Sequence, residues 1–174
     1  GFYNRGNAYL QLGDPARAIT DFDAAIRINP QYADAFSNRG AAYIDQGDLV
    51  RAIADLDSAI RFNPQSSMAF FNRGNVHRDQ GDLVRAIADY GAAIRTNPQN
   101  VDAYYSRGNA FRFLRDFPRA IADYDQAIQL NPSDPVVYHN RGNSYANKRD
   151  FDRAIADHNQ AIKLNASYAS AFNS

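Results

Sequence analysis

The chain repeats itself every 34 residues, and nothing else in the sequence restricts its fold as much. Asn-Pro recurs at Asn29-Pro30, Asn63-Pro64, Asn97-Pro98 and Asn131-Pro132. Arg-Gly recurs at Arg5-Gly6, Arg39-Gly40, Arg73-Gly74, Arg107-Gly108 and Arg141-Gly142. A fixed period of this size marks a solenoid, in which one supersecondary unit buries its apolar face by stacking on its neighbours. The repeats run approximately 1–32, 33–66, 67–100, 101–134 and 135–168, and 169–174, with Phe172, reads as the start of a sixth; the whole of 1–174 is expected to be a single array.

The second copy, Ala33 to Ser66, shows what one unit encodes. Phe36, Gly40 and Tyr43 are spaced by four and three residues and share one face of a predicted helix. Gly47-Asp48 interrupts it: Gly allows positive φ, and the Asp48 carboxylate is placed to cap the next helix. Leu49, Ala52, Ile53, Leu56, Ala59 and Ile60 then form a second amphipathic stripe. Asn63-Pro64 ends it, because a residue before proline is pushed out of the α region. Two helices of about 14 residues, each ~20 Å long, joined by so short a turn must run antiparallel. The Gly40, Ala52 and Ala59 rows hold only Gly or Ala in every copy and are read as the lines of closest helix contact. In the last copy Asn165-Ala166 replaces Asn-Pro, which predicts a final helix that continues further.

Phe36-x2-Arg39-Gly40-x2-Tyr43, followed by Ala52-x3-Leu56 and Pro64, resembles the tetratricopeptide repeat, and the resemblance covers essentially the whole chain. It implies an all-α solenoid of antiparallel helix pairs wound into a right-handed superhelix. The sequence departs from the family in having no Trp, in carrying Arg before each Gly, and in placing His77 where other copies have Tyr9, Tyr43, Phe111 and Tyr145.

Composition narrows the functional classes. Net charge is zero, which argues against nucleic acid or an anionic membrane as partner. The absence of cysteine removes disulfides, thiol catalysis and Cys-ligated zinc. No apolar run approaches the ~18 residues of a membrane span. The chain opens at Gly1 inside a first helix with no leader ahead of it, so it reads as an excerpt, and a cytoplasmic location is expected. His77, His139 and His158 come from different copies without metal-ligand spacing, and His77 and His158 replace core aromatics and are expected to be core residues with their polar atoms satisfied. No phosphate loop or nucleophile elbow is seen. No catalytic residue, metal or cofactor is therefore expected.

Two charge rows also recur. Arg5, Arg39, Arg73, Arg107 and Arg141 match Asp21, Asp55, Asp89, Asp123 and Asp157 in period, predicting a structural Arg-Asp ladder between helices. Arg17, Arg51, Arg85, Arg119 and Arg153 lie four residues before those aspartates and are expected to compete for them.

The candidate binding surface is the first-helix face opposite the second helix. It carries Asn4, Asn38, Asn72 and Asn140 in one row and Asn7, Asn75, Asn109 and Asn143 in another, with Ser106 and Ala41 as the exceptions. In the family resembled, these helices line a concave wall, and such rows look like an asparagine ladder that holds an extended peptide. A side-chain amide can donate to and accept from a peptide unit whatever side chain that unit bears. Tyr3, Phe71, Tyr105, His139 and Phe113 lie near this face as candidate anchors, and Arg78 and Arg112 could add a basic pocket for an acidic group. The alternative is that the amides bond neighbouring helices or water. Chaperone-tail recognition is disfavoured, since Tyr3, Asp34, Asp102 and Ser106 stand where that subfamily has Lys or Arg. The expected partner is a protein or peptide. Self-association through uncapped ends, and service as the regulatory arm of a larger enzyme, are the other readings.

Overall fold

The computed structural model describes the backbone of residues 1–172 and the side chains of residues 1–165. Of the expected start of a sixth repeat at 169–174, the backbone of 169–172 forms the end of α10; its side chains, that of Phe172 included, and residues 173–174 lie outside the described residues. The described chain is helical, with no strand: α1 (Phe2–Gln11), α2 (Pro15–Ile28), α3 (Ala33–Asp45), α4 (Leu49–Phe62), α5 (Ser67–Asp79), α6 (Leu83–Thr96), α7 (Val101–Phe113), α8 (Phe117–Leu130), α9 (Pro135–Asn147) and α10 (Phe151–Phe172). The pairs α1/α2, α3/α4, α5/α6, α7/α8 and α9/α10 are the expected antiparallel hairpins of an all-α solenoid. With no proline after Asn165, α10 runs past the point where α2, α4, α6 and α8 stop.

Two compact units divide the chain, Gly1–Pro98 with α1 to α6, and the part from Gln99 onward with α7 to α10. Within the first, α2 packs on α3 and α4 on α5; within the second, α8 packs on α9. First helices of successive repeats also touch, α1 with α3 and α3 with α5 in one unit, α7 with α9 in the other.

Hairpin contact depends on the small residues. A Cβ placed on Gly6 would stand 2.7 Å from the Phe22 ring, on Gly40 2.9 Å from Leu56 Cγ, and on Gly108 2.8 Å from the Tyr124 ring. Ala52, Ala59, Ala86, Ala93, Ala120 and Ala127 are wholly buried, so the backbones approach as closely as a methyl group allows.

Each turn between paired helices is one hydrogen-bonded motif. The amides of Gly47 and Asp48 donate to the carbonyls of Ile44 and Tyr43, both at 2.9 Å, and the other four repeats do the same. The pattern needs a left-handed residue after the helix end. Gly13, Gly47 and Gly81 supply it at φ of 72°, 76° and 81°, while Arg115 and Arg149 adopt 61° and 62° in the last two repeats. Asp14, Asp48, Asp82 and Asp116 cap the following helices as the sequence predicts, each accepting from the amide three residues on; Asp150 does likewise at 3.3 Å. These carboxyls are held below the usual carboxylate range. In Asp14, Asp48 and Asp82 the backbone amide is the chief cause and the arginine second, whereas in Asp116 and Asp150 the arginine comes first.

The Arg-Asp ladder is present and goes further than its sequence reading. Arg39 grips buried Asp55 with Nε and Nη2, both at 2.7 Å, and reaches back with Nη1 to Asp23 of the preceding repeat. Arg73 joins Asp89 to Asp57, and Arg141 joins Asp157 to Asp125, in the same way. The second acid was not anticipated, although Asp23, Asp57 and Asp125 follow the period, interrupted by Gly91 and Asn159. The expected competition from Arg17, Arg51, Arg85, Arg119 and Arg153 does not occur. Each pairs instead with its own capping aspartate three residues earlier, and Arg17, Arg51, Arg119 and Arg153 also lie 4.4 to 4.5 Å over Tyr9, Tyr43, Phe111 and Tyr145. A cap carboxylate one turn away, with an aromatic face beside it, is closer than an aspartate already held by a bidentate guanidinium.

Candidate peptide-binding face

In the first unit the face is built on α1, α3 and α5. The Asn38 amide donates to Asn7 Oδ1 at 2.7 Å and to the Tyr3 hydroxyl at 3.2 Å, linking adjacent repeats. Asn72 has Ser37 and Ala41 at the matching register and makes no such bond. Asn75 Oδ1 accepts from the Tyr90 hydroxyl at 2.8 Å and from Arg78 Nη1 at 3.4 Å. Arg78 is paired with Asp79, its Nε donating at 2.9 Å. The Phe71 ring packs at a tilt against Tyr90, and that of Tyr3 against Phe22 and Tyr32. Asn4 lies exposed on α1.

The second unit repeats the motif on α7 and α9. Asn140 Nδ2 donates to the Tyr105 hydroxyl at 3.0 Å and to Asn109 Oδ1 at 3.3 Å. Asn109 Oδ1 also accepts from the Tyr124 hydroxyl at 2.7 Å. Burial pushes the Tyr124 phenol up to about 12, and the Arg112 guanidinium beside it pulls in the opposite direction. Asn143 bonds the His139 ring at 3.0 Å, and the His139 and His158 rings lie 5.2 Å apart. Pro135, Val136, His139, His158, Ala161, Ile162 and Asn165 line an open apolar cavity of about 550 Å³.

Within each unit the predicted asparagines lie on the first helices, but several of their atoms are engaged within the protein. Asn7, Asn38, Asn109 and Asn140 each spend part of their capacity joining neighbouring repeats, as the alternative reading held. Arg78 and Arg112 lie in different units, and only Arg78 has an acid beside it. Sequence reasoning missed the hydroxyls of Tyr90 and Tyr124, which hold the asparagine carbonyls. The signal was the aromatic place on the second helix, where Phe22, Leu56, Tyr90, Tyr124 and His158 alternate and only tyrosine brings a hydroxyl. His77 is buried as expected, but its Nδ1 has no partner and its Nε2 stands 3.7 Å from Asp89. Among the described residues no cluster of potential metal ligands occurs, and no helix is long and apolar enough to cross a membrane.

Hairpins of this length, capped and packed in this way, define a helical-repeat scaffold for protein–protein interaction. The profile of the tetratricopeptide repeat matches residues 3–67 and 71–135, and a second matches 135–168, so the chain belongs to the tetratricopeptide repeat family. No curated protein sequence matches it. Among solved structures it is similar to MamA, with 24% identity and a TM-score of 0.87 over 95% of this chain and 96% of that one. A MamA fragment from Desulfovibrio magneticus RS-1 matches at 22% identity and a TM-score of 0.85, covering 95% and 94%. YrrB, described as a TPR protein with an unusual peptide-binding site, matches at 19% and 0.79, covering 99% and 89%. At these identities the likeness is one of fold.

Proposed function

We propose that the chain is a non-catalytic scaffold whose first-helix faces hold an extended peptide segment of a partner protein. The observation that carries this reading is the state of the asparagines: fixed in place by Tyr and Asn neighbours, yet with amide atoms left over. Asn7 and Asn109 are bonded only through Oδ1, and Asn38 and Asn140 only through Nδ2. Rigid amides with spare capacity can bond a main chain without first losing side-chain entropy. At about 0.5 to 1.5 kcal/mol net per hydrogen bond, a handful of such contacts implies micromolar binding or weaker. That YrrB is described as having a peptide-binding site is consistent with this use of the fold.

Side-chain amide spectra of ¹⁵N-labelled protein titrated with blocked peptides of about eight residues test the proposal. The Asn72, Asn75 and Asn109 resonances should move, while those of Asn63 and Asn131 in the turns should not. Asn72→Ala removes an amide that no neighbour depends on, so it should weaken binding without lowering the melting temperature. Shifts confined to the turns, or none, would overturn the reading.

A second reading has its own observation. The apolar cavity at His139 and His158 is the counterpart of the Tyr3 and Phe22 surface, which α3 covers in the first unit through Tyr32 and Asn38. Phe2, Asn4 and Arg5, exposed on α1, match Phe36, Asn38 and Arg39 in register, so a second copy could dock there head to tail. Mass by light scattering that stays monomeric at high concentration removes this reading.

A further inference from the structure

The two units present the same amide motif beside arginines in opposite electrostatic states. Arg78 has its acid next door, Asp79, and spends one nitrogen on Asn75. Arg112, the matching residue one repeat later, is followed by Phe113 in place of that acid. Its guanidinium lies 4.9 Å over the Phe113 ring and beside the neutral Tyr124 hydroxyl, and its Nε is buried without a hydrogen-bond partner. The acids of α8 and its cap are committed elsewhere: Asp116 to Arg119, Asp123 to Arg107, and Asp125 to Arg141. Asp102 lies on α7 ten residues earlier. That is ~15 Å along the helix, beyond the ~8 Å screening length of physiological salt.

Hydrogen-bond capacity points the same way. Asn109 Oδ1 already accepts two bonds, from Tyr124 and Asn140, which fills the lone pairs of a carbonyl oxygen. What remains on α7 is donors: the Asn109 amide hydrogens and the Arg112 guanidinium, one turn apart. Asn140 Oδ1 on α9 is the acceptor left for a peptide N–H. A cation and an amide with only hydrogens to offer fit a group that is anionic and accepts only.

We propose that the face of α7 and α9 selects a peptide segment bearing a carboxylate side chain, with Arg112 and Asn109 receiving the carboxylate and Asn140 the adjacent main chain. The proposal rests on the peptide-binding reading above and specifies its ligand. The corresponding place in the first unit is neutralised by Asp79 and carries no such preference.

Three blocked alanine-rich peptides with one Phe and a central Glu, Gln or Lys test it by titration into the ¹⁵N-labelled chain. The Glu peptide should bind about five-fold more tightly than the Gln peptide, as expected of a half-exposed charge-assisted contact, and Lys should be weakest. It should also shift the Arg112 Nε–H and Asn109 side-chain resonances. Arg112→Gln should bring the Glu and Gln peptides to equal affinity with both still bound, and Arg112→Lys should keep part of the preference, which guards against a folding artefact. Arg149→Gln removes the same charge at an exposed turn of the same unit and should leave the preference intact. Equal affinity of the Glu and Gln peptides for the unaltered chain, with the asparagine resonances still shifting, overturns the carboxylate preference and spares the peptide face. Absence of any shift on the α7 and α9 asparagines overturns both.

Discussion

The units 1–98 and from Gln99 onward are written from one 34-residue template but differ where the template leaves a choice. In the first, Arg39 and Arg73 each hold two acids after Arg5 holds one, the turns use glycine, and Arg78 is paired with Asp79. In the second, Arg107 holds Asp123 alone, with Gly91 at the sequence position of the second acid, and Arg141 holds two, but Arg115 and Arg149 occupy left-handed turns and Arg112 has no acid paired with it. Positions that set the backbone distance between helices cannot vary without strain, so they repeat. Positions that set charge and surface are free to vary, and these are where the units can acquire different partners.

The largest effect should come from the ladder. Asp123→Ala leaves Arg107, only 24% exposed, with no carboxylate, and should destabilise by about 3 kcal/mol. Asp55→Ala leaves Arg39 its bond to Asp23 and should cost nearer 2 kcal/mol. Urea unfolding of the two variants decides; equal losses would show that the second acid contributes nothing.

Next comes helix contact. Gly108→Ala drives a methyl into the Tyr124 ring, which is wholly buried and tied to Asn109, and should cost about 2 kcal/mol. Gly40→Ala meets Leu56 Cγ, on a side chain that no hydrogen bond holds in place, and should cost about 1 kcal/mol. Thermal melts that reverse this order would show that the tyrosine side yields more easily than its hydrogen bond suggests.

The smallest effect lies in the turns. Arg115→Gly relieves a left-handed conformation and should stabilise by about 1 kcal/mol, while Gly47→Arg should cost a similar amount. No change in melting temperature for either would mean that the turn motif absorbs the strain.

Much of this was legible beforehand because it is local. The caps at Asp14 and Asp48, the helix ends at Asn29 and Asn63, and the extension of α10 follow from a few neighbouring residues and the geometry of the backbone. The close approach at Gly40 could be inferred because every copy keeps a small residue there. The partners of Arg17 and its counterparts could not be foreseen from helical spacing, since Asp14 and Asp21 are both within reach and the choice turned on Arg5 having filled Asp21 first. The asparagine face was half legible: the rows were visible, but their bonds to Tyr90, Tyr124 and the preceding repeat were not.

By itself the sequence determined the helical hairpin, its length, its caps and its stacking, because a period and a set of small residues act through short-range sterics that leave one solution. Tertiary structure alone decided which polar atoms are consumed and which are left over, because a donor's partner depends on what packing brings within about 3 Å of it. Arg78 and Arg112 occupy equivalent places in the repeat. Only their surroundings make one a closed ion pair and the other a cation without one.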